Sequence, residues 1–200
     1  AARAPSAAIL TELGRLLAEA GALRDARARL EHAIAIEPTL LSARMELARA
    51  AALLGDGPGA AAVLDATLPG EPSVTRDAYR ARVALWGLAS PPALTAAPDT
   101  YTAVLCGAAA TRSLDDGQRA FMRERAAAAS SRLQPFFHQL NAELHAFDGA
   151  VDAAVASLRA AIDADLIDVG WMDRCPVLAP LRADPRWPAL RELVAARAAR

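Results

Sequence analysis

Lysine is absent from this chain: all 22 of its basic residues are arginine. Without it there is no phosphate-loop lysine, no kinase strand lysine and no Schiff-base nucleophile. Kinase and P-loop chemistry are therefore excluded within these 200 residues. Aromatic residues make up only 4% of the composition against 54% apolar, so the interior has to be built from Ala, Leu and Val. Alanine suits that task, because it loses no side-chain entropy on entering a helix. Cysteine occurs twice, as Cys106 and Cys175. That is too few for a disulfide framework and fits buried thiols in a reducing cytoplasm. The net charge of −1 gives no footprint for nucleic acid. No run of about 18 apolar residues is present to span a membrane. The chain opens Ala1-Ala2-Arg3, with neither an initiator Met nor a secretory apolar segment, and reads as a piece of a longer protein.

What is present is an echo. Pro38 recurs as Pro72, Gly21 as Gly55, Ala26 as Ala60, Leu30 as Leu64 and Leu13 as Leu47, each 34 residues on. A period of that length, with small residues and a closing proline, marks a helix–turn–helix solenoid. Such repeats bury their cores against one another and offer a concave face to a partner. The expected fold class is all-α, an α-α superhelix of about four to five antiparallel helix pairs, closed by a cap of short helices.

Ser6 is a candidate N-cap for a helix near 7–20, with Leu10, Leu13, Leu17 and Ala18 on one stripe and Gly21 as its stop. A second helix near 23–36 turns Leu23, Ala26, Leu30, Ala33 and Ile34 inward, and Pro38 blocks its continuation. The next pair runs from 41 to 54, stopped by Gly55, and onward from an Asp56 cap with Pro58 in its first turn. Ala60, Val63, Leu64 and Leu68 form its stripe, and Glu71-Pro72 ends it. Residues 75–89 predict a third opening helix. After Ser90-Pro91-Pro92 the strict period fails, and helices are expected from Asp99 or Thr100 and from 113–116 to 126–131. Beyond Pro135 a helix bearing Phe136, Leu140, Leu144 and Phe147 turns at Asp148-Gly149 into one bearing Val151, Ala154, Val155, Leu158 and Ile162. The division is thus two regular hairpins over 1–72, degenerate helical repeats over 73–132, and a final hairpin with a Trp/Pro-rich cap and last helix over 133–200.

These residues resemble the tetratricopeptide repeat family. Leu10, Leu13-Gly14, Leu17, Gly21, Ala26, Leu30, Ala33 and Pro38 follow its consensus in order, and the second copy keeps Leu47, Gly55, Ala60, Leu64 and Pro72, with Ala48 and Thr67 where Gly and Ala are typical. The tail Trp171-Met172-Asp173-Arg174-Cys175-Pro176, Leu181-Arg182 and Asp184-Pro185-Arg186-Trp187 is similar to the closing segment of such arrays in multidomain bacterial signalling proteins. These include serine/threonine kinases, cyclase-like regulators and transcriptional activators. The resemblance implies a cytoplasmic, non-catalytic module that binds a protein, a peptide or a neighbouring domain, without cofactor or metal.

In that family the first helix of each pair lines the concave surface. The helical count then aims Thr11, Arg15, Met45, Arg49, Arg76, Tyr79 and Arg80 at a groove. Its arginines could grip a carboxylate bidentately, while Met45 and Tyr79 supply apolar contact. Arg76 and Arg80 resemble the third-repeat part of the family's clamp for acidic tails; Thr11, Arg15 and Glu46 depart from the rest of it. Three other groups were weighed. His138 and His145, with Glu143 or Cys175, have the wrong spacing for a zinc site and read as polar-face histidines. Asp173-Arg174 and Asp184-Pro185-Arg186 read as caps and ion pairs, since no nucleophile or base accompanies them. A ligand pocket lined by Trp86, Tyr101, Cys106 and Phe121 is the alternative to the interaction module.

Overall fold

The computed structural model describes residues 5–66, 74–93, 97 and 100–199. Thr67, Leu68, Glu71, Pro72 and Asp99, used above as stops, starts or repeat positions, lie outside the described residues. Within them the chain forms twelve α-helices and no strand. They are α1 (Ala7–Glu19), α2 (Leu23–Ile36), α3 (Leu41–Leu53), α4 (Gly57–Asp65), α5 (Val74–Leu85) and α6 (Tyr101–Thr111). Then come α7 (Asp116–Ala128), α8 (Gln134–Phe147), α9 (Val151–Asp163), α10 (Val169–Arg174), α11 (Ala179–Arg182) and α12 (Trp187–Ala198). The largest helix–helix contacts join α1 to α2, α3 to α4, α5 to α6 and α8 to α9, and the hairpins stack in an α-α superhelix.

Local chemistry explains the boundaries. Ser6 accepts from the Ile9 N–H, Asp56 from Gly59 and Thr100 from Ala103, each satisfying a donor that the first helical turn leaves open. Asp115 and Gln118 form a reciprocal capping box at the start of α7. The stops share one geometry. Gly21, Gly55, Gly87 and Gly149 all sit at positive φ, between 77 and 87°. In each case the next residue donates five positions back, as Ala22 does to the Leu17 carbonyl and Asp56 to Ala51. This is the Schellman closure, and only glycine enters it without a Cβ penalty. Gly21 and Gly55 therefore occupy equivalent corners. Gly87 is a third corner 32 residues after Gly55, which ends α5 earlier than the sequence predicts. Asp165 makes a fifth at φ 69°, stopping α9.

The tail forms the expected short helices, and their destination is the interior. Its sequence suggests a bulky cap of short helices, and the structure packs that segment inward, α10 lying against α1 and α3. Trp171, Met172, Cys175, Leu178 and Leu181 are fully buried and belong to the same core cluster as Ala18, Ala51 and Leu85. The approach is close: a Cβ built on Gly170 would overlap the Ala18 carbonyl oxygen. The superhelix is thus closed by its own C-terminal segment. Gly170→Ala should cost about 2 kcal/mol or more, because the obstacle is backbone and cannot rotate away. Urea unfolding measures this, and a loss under about 0.5 kcal/mol would contradict the closed arrangement.

Candidate functional site

The inner faces of α1, α3, α5 and α8 converge where a partner was expected. At their centre lies Glu143 of α8, with no solvent exposure at all. A buried carboxylate is tolerable only when charge and hydrogen bonds are both supplied. Arg82 of α5 supplies the charge in a fork, Nε to Oε2 at 2.9 Å and Nη2 to Oε1 at 2.5 Å. Trp86 Nε1 donates to Oε2 at 3.0 Å and Trp171 Nε1 to Oε1 at 2.6 Å. The guanidinium also lies 5.2 Å from the Trp86 ring centroid. The cluster holds α5, α8 and α10 together.

A second polar group closes the seam between the first hairpins and the tail. Arg49 Nη1 donates to Asp168 at 2.9 Å, and Arg49 Nε to Glu46 at 3.1 Å. Gln139 Nε2 reaches the same Asp168 oxygen at 3.2 Å. The other oxygen of Asp168 caps α10, accepting from the Trp171 N–H at 2.9 Å. Burial alone would lower the Arg49 value; the Asp168 and Glu46 charges more than reverse it, so the guanidinium stays charged. Burial and the neighbouring Glu46 push the Tyr79 phenol up, and its hydroxyl donates to Glu46 at 3.3 Å. Burial likewise holds Glu19 above its ordinary value against the pull of Arg15, with Asp168 adding to the rise.

Of the residues aimed at a groove, Arg15, Arg49 and Tyr79 line a cavity of about 320 Å³ beside this seam, together with Arg132 and Phe136. Arg49 is consumed by its own acids, and Arg15 pairs with Glu12 and Glu19. Thr11 does not reach a groove: it is buried and its hydroxyl donates to the Ala7 carbonyl of its own helix. Met45 is half-buried and packs on the core. Arg76 and Arg80 line a separate cleft by α4 and α5, where Arg80 pairs with Asp65. The alternative pocket is not assembled as such. Trp86 serves Glu143, Tyr101 stands edge-on to Phe136 and Phe137, Cys106 is buried and Phe121 packs on the core. Glu143 and Cys175 lie in the interior, and His145 faces α7 near Arg119. Asp173 pairs with Arg191, and Asp184 with Arg186.

Sequence reasoning missed Arg82, Gln139 and Asp168, and met Glu143 only as a companion of the histidines. A usable signal was there: Arg82 sits between Ala81 and Val83, and Glu143 between Ala142 and Leu144, in stretches that otherwise read as core. Asp168 precedes Trp171 by the spacing of an N-cap.

Among the described residues, α1 carries a row of exposed apolar side chains. Ile9, Leu13 and Leu16 of α1 are 60, 40 and 47% exposed, in line along the helix. Leu13 and Leu16 border a mostly apolar cleft completed by Leu17, Glu19, Ala20, Ile167 and Ala198.

Glu143→Ala should lower the unfolding free energy by about 3–5 kcal/mol, because Arg82 is left buried without its counter-ion. Arg82→Met with Glu143→Leu should recover part of that loss, and a single-variant loss below about 1 kcal/mol in denaturant titration would contradict the assignment. His145 gives a pH dependence. Burial first, then Arg119 and Arg123, hold its imidazole below the ordinary value, and burial does the same to His138. The unfolded chain takes up protons near pH 6.5 that the folded chain refuses. Stability is therefore present above that pH and falls as acid is added through it. His145→Gln should flatten the fall in thermal melts; an unchanged slope would remove His145 as its source. No protein-family model, no curated protein and no solved structure matches this chain.

Proposed function

We propose that this chain is a non-catalytic tetratricopeptide-like interaction module of a cytoplasmic bacterial multidomain signalling protein, such as a serine/threonine kinase. It recruits a protein partner or holds a neighbouring domain of its own polypeptide. The observation that carries this reading is the α1 face: three large aliphatic side chains in helical register, all exposed on one helix. The polar chemistry of the interior points the same way. Its arginines and carboxylates are paired with one another and hold helices, so they serve architecture rather than turnover. Among the described residues no group of three or more His, Cys, Asp and Glu is placed to hold a metal ion. No described helix is long and apolar enough to cross a membrane.

A second reading, a ligand-sensing regulatory domain of a transcriptional activator or cyclase-like protein, draws support from the cavity beside Arg49 and Tyr79. Its volume of about 320 Å³ is at the small end of ligand sites. The interaction reading is preferred, because that cavity's floor is already neutralised by internal pairs.

The test is photo-crosslinking in the native host from benzophenone side chains placed at Leu13 or Leu16, with exposed Ala28 of α2 as control. One recurrent adduct from the α1 positions, to another protein or another segment of the same polypeptide, is expected. Equal labelling at Ala28, or no adduct from α1, would count against the module.

A further inference from the structure

The exposed face of α1 has a copy inside the same chain, and there the copy is covered. Ile9, Leu13 and Leu16 stand 34 residues ahead of Ala43, Leu47 and Ala50 of α3. Those three α3 residues are buried. Ala43 clusters with Ala33 of α2 and with Ala7 and Leu10 of α1, and Leu47 and Ala50 cluster with Leu30 of α2, with Ile34 of α2 packed on both groups and Val63 on the second. Gly21 and Gly55 close the two helices with the same corner, so the correspondence holds in the backbone as well as in the sequence. The α2–α3 contact therefore displays what sits on such a face. It is the apolar stripe of an amphipathic helix with residues at i, i+3 and i+4, here Leu30, Ala33 and Ile34.

The two faces differ in bulk, and the difference narrows the partner. On α1, Ile9 replaces Ala43 and Leu16 replaces Ala50. Helices packed at about 8–10 Å interdigitate only when large residues on one side meet small ones on the other. A helix placed on α1 as α2 is placed on α3 would set a large residue at the Leu30 position against Leu16. The matching helix has alanine there. Charge does not select the partner, since Glu12 and Arg15 beside the face are paired with each other.

We infer that α1 docks an amphipathic helix with an alanine-rich apolar stripe, using this outer face rather than the concave surface. The inference rests on the interaction-module reading and names the chemistry of its partner. To test it, a copy of residues 23–40 carrying Leu30→Ala is joined directly ahead of Ala7 in place of residues 1–6, which reproduces the α2–α3 connection. Amides of the added helix should exchange at least tenfold more slowly than in a control whose copy also carries Ala33→Glu and Ile34→Glu. Leu13→Glu in α1 should abolish the difference. Equal exchange in the two chains overturns the inference. So does a concentration-dependent dimer of the unmodified chain that Leu13→Glu dissolves, because the face then belongs to a second copy. Crosslinks from Leu13 together with an unprotected added helix would leave the module standing and remove only the partner's identity.

Discussion

A carboxylate shut away from water must find every hydrogen bond inside the protein, and Glu143 of α8 finds four N–H donors, two from Arg82 of α5, one from Trp86 just beyond it and one from Trp171 of α10. Each donor has little freedom: a guanidinium fork is planar and two indoles carry one N–H apiece. Satisfying them together fixes the distances among α5, α8 and α10 at once. Arginine is suited to this place in a way lysine is not, because its fork binds both oxygens of the acid. In a core otherwise made of alanine and leucine, whose contacts slide easily, such a tie sets a register that apolar packing alone leaves loose.

The position of α10 follows from that tie and determines what surface remains. Trp171 can reach Glu143 only if the tail enters the superhelix, and the Asp168 cap then arrives beside Arg49. The inner face is largely occupied by the chain itself, leaving a small cavity in place of a trough. In the interaction module proposed above, a partner would meet the outer helix faces. That shifts recognition from the groove, where extended peptides bind, to helix-on-helix packing, where shape and residue size decide specificity.

The local part of the fold was legible. Gly21 and Gly55, Pro38, the Ser6, Asp56 and Thr100 caps and the Asp148-Gly149 turn all act within a few residues, so their meaning is written at the site. Gly87 escaped because the following segment breaks the 34-residue period. The tail's destination was not legible. Glu143 pairs with residues 61 positions before and 28 after it, and Arg49 with one 119 positions away, separations that periodicity does not encode. Candidate groove residues were judged by helical angle alone. Angle finds Arg15, Arg49 and Tyr79 on the inner side but cannot tell a waiting arginine from one already satisfied.

Arrays of stacked hairpins ordinarily behave as nearest-neighbour systems, in which units can be gained or lost and the ends melt first. The contact between Ala18 and Gly170 joins the opening hairpin to the closing segment and ends that independence. Lengthening the array by a hairpin in its middle would swing the two ends apart. Insertion between those two segments is therefore restrained by a contact that ordinary solenoids lack.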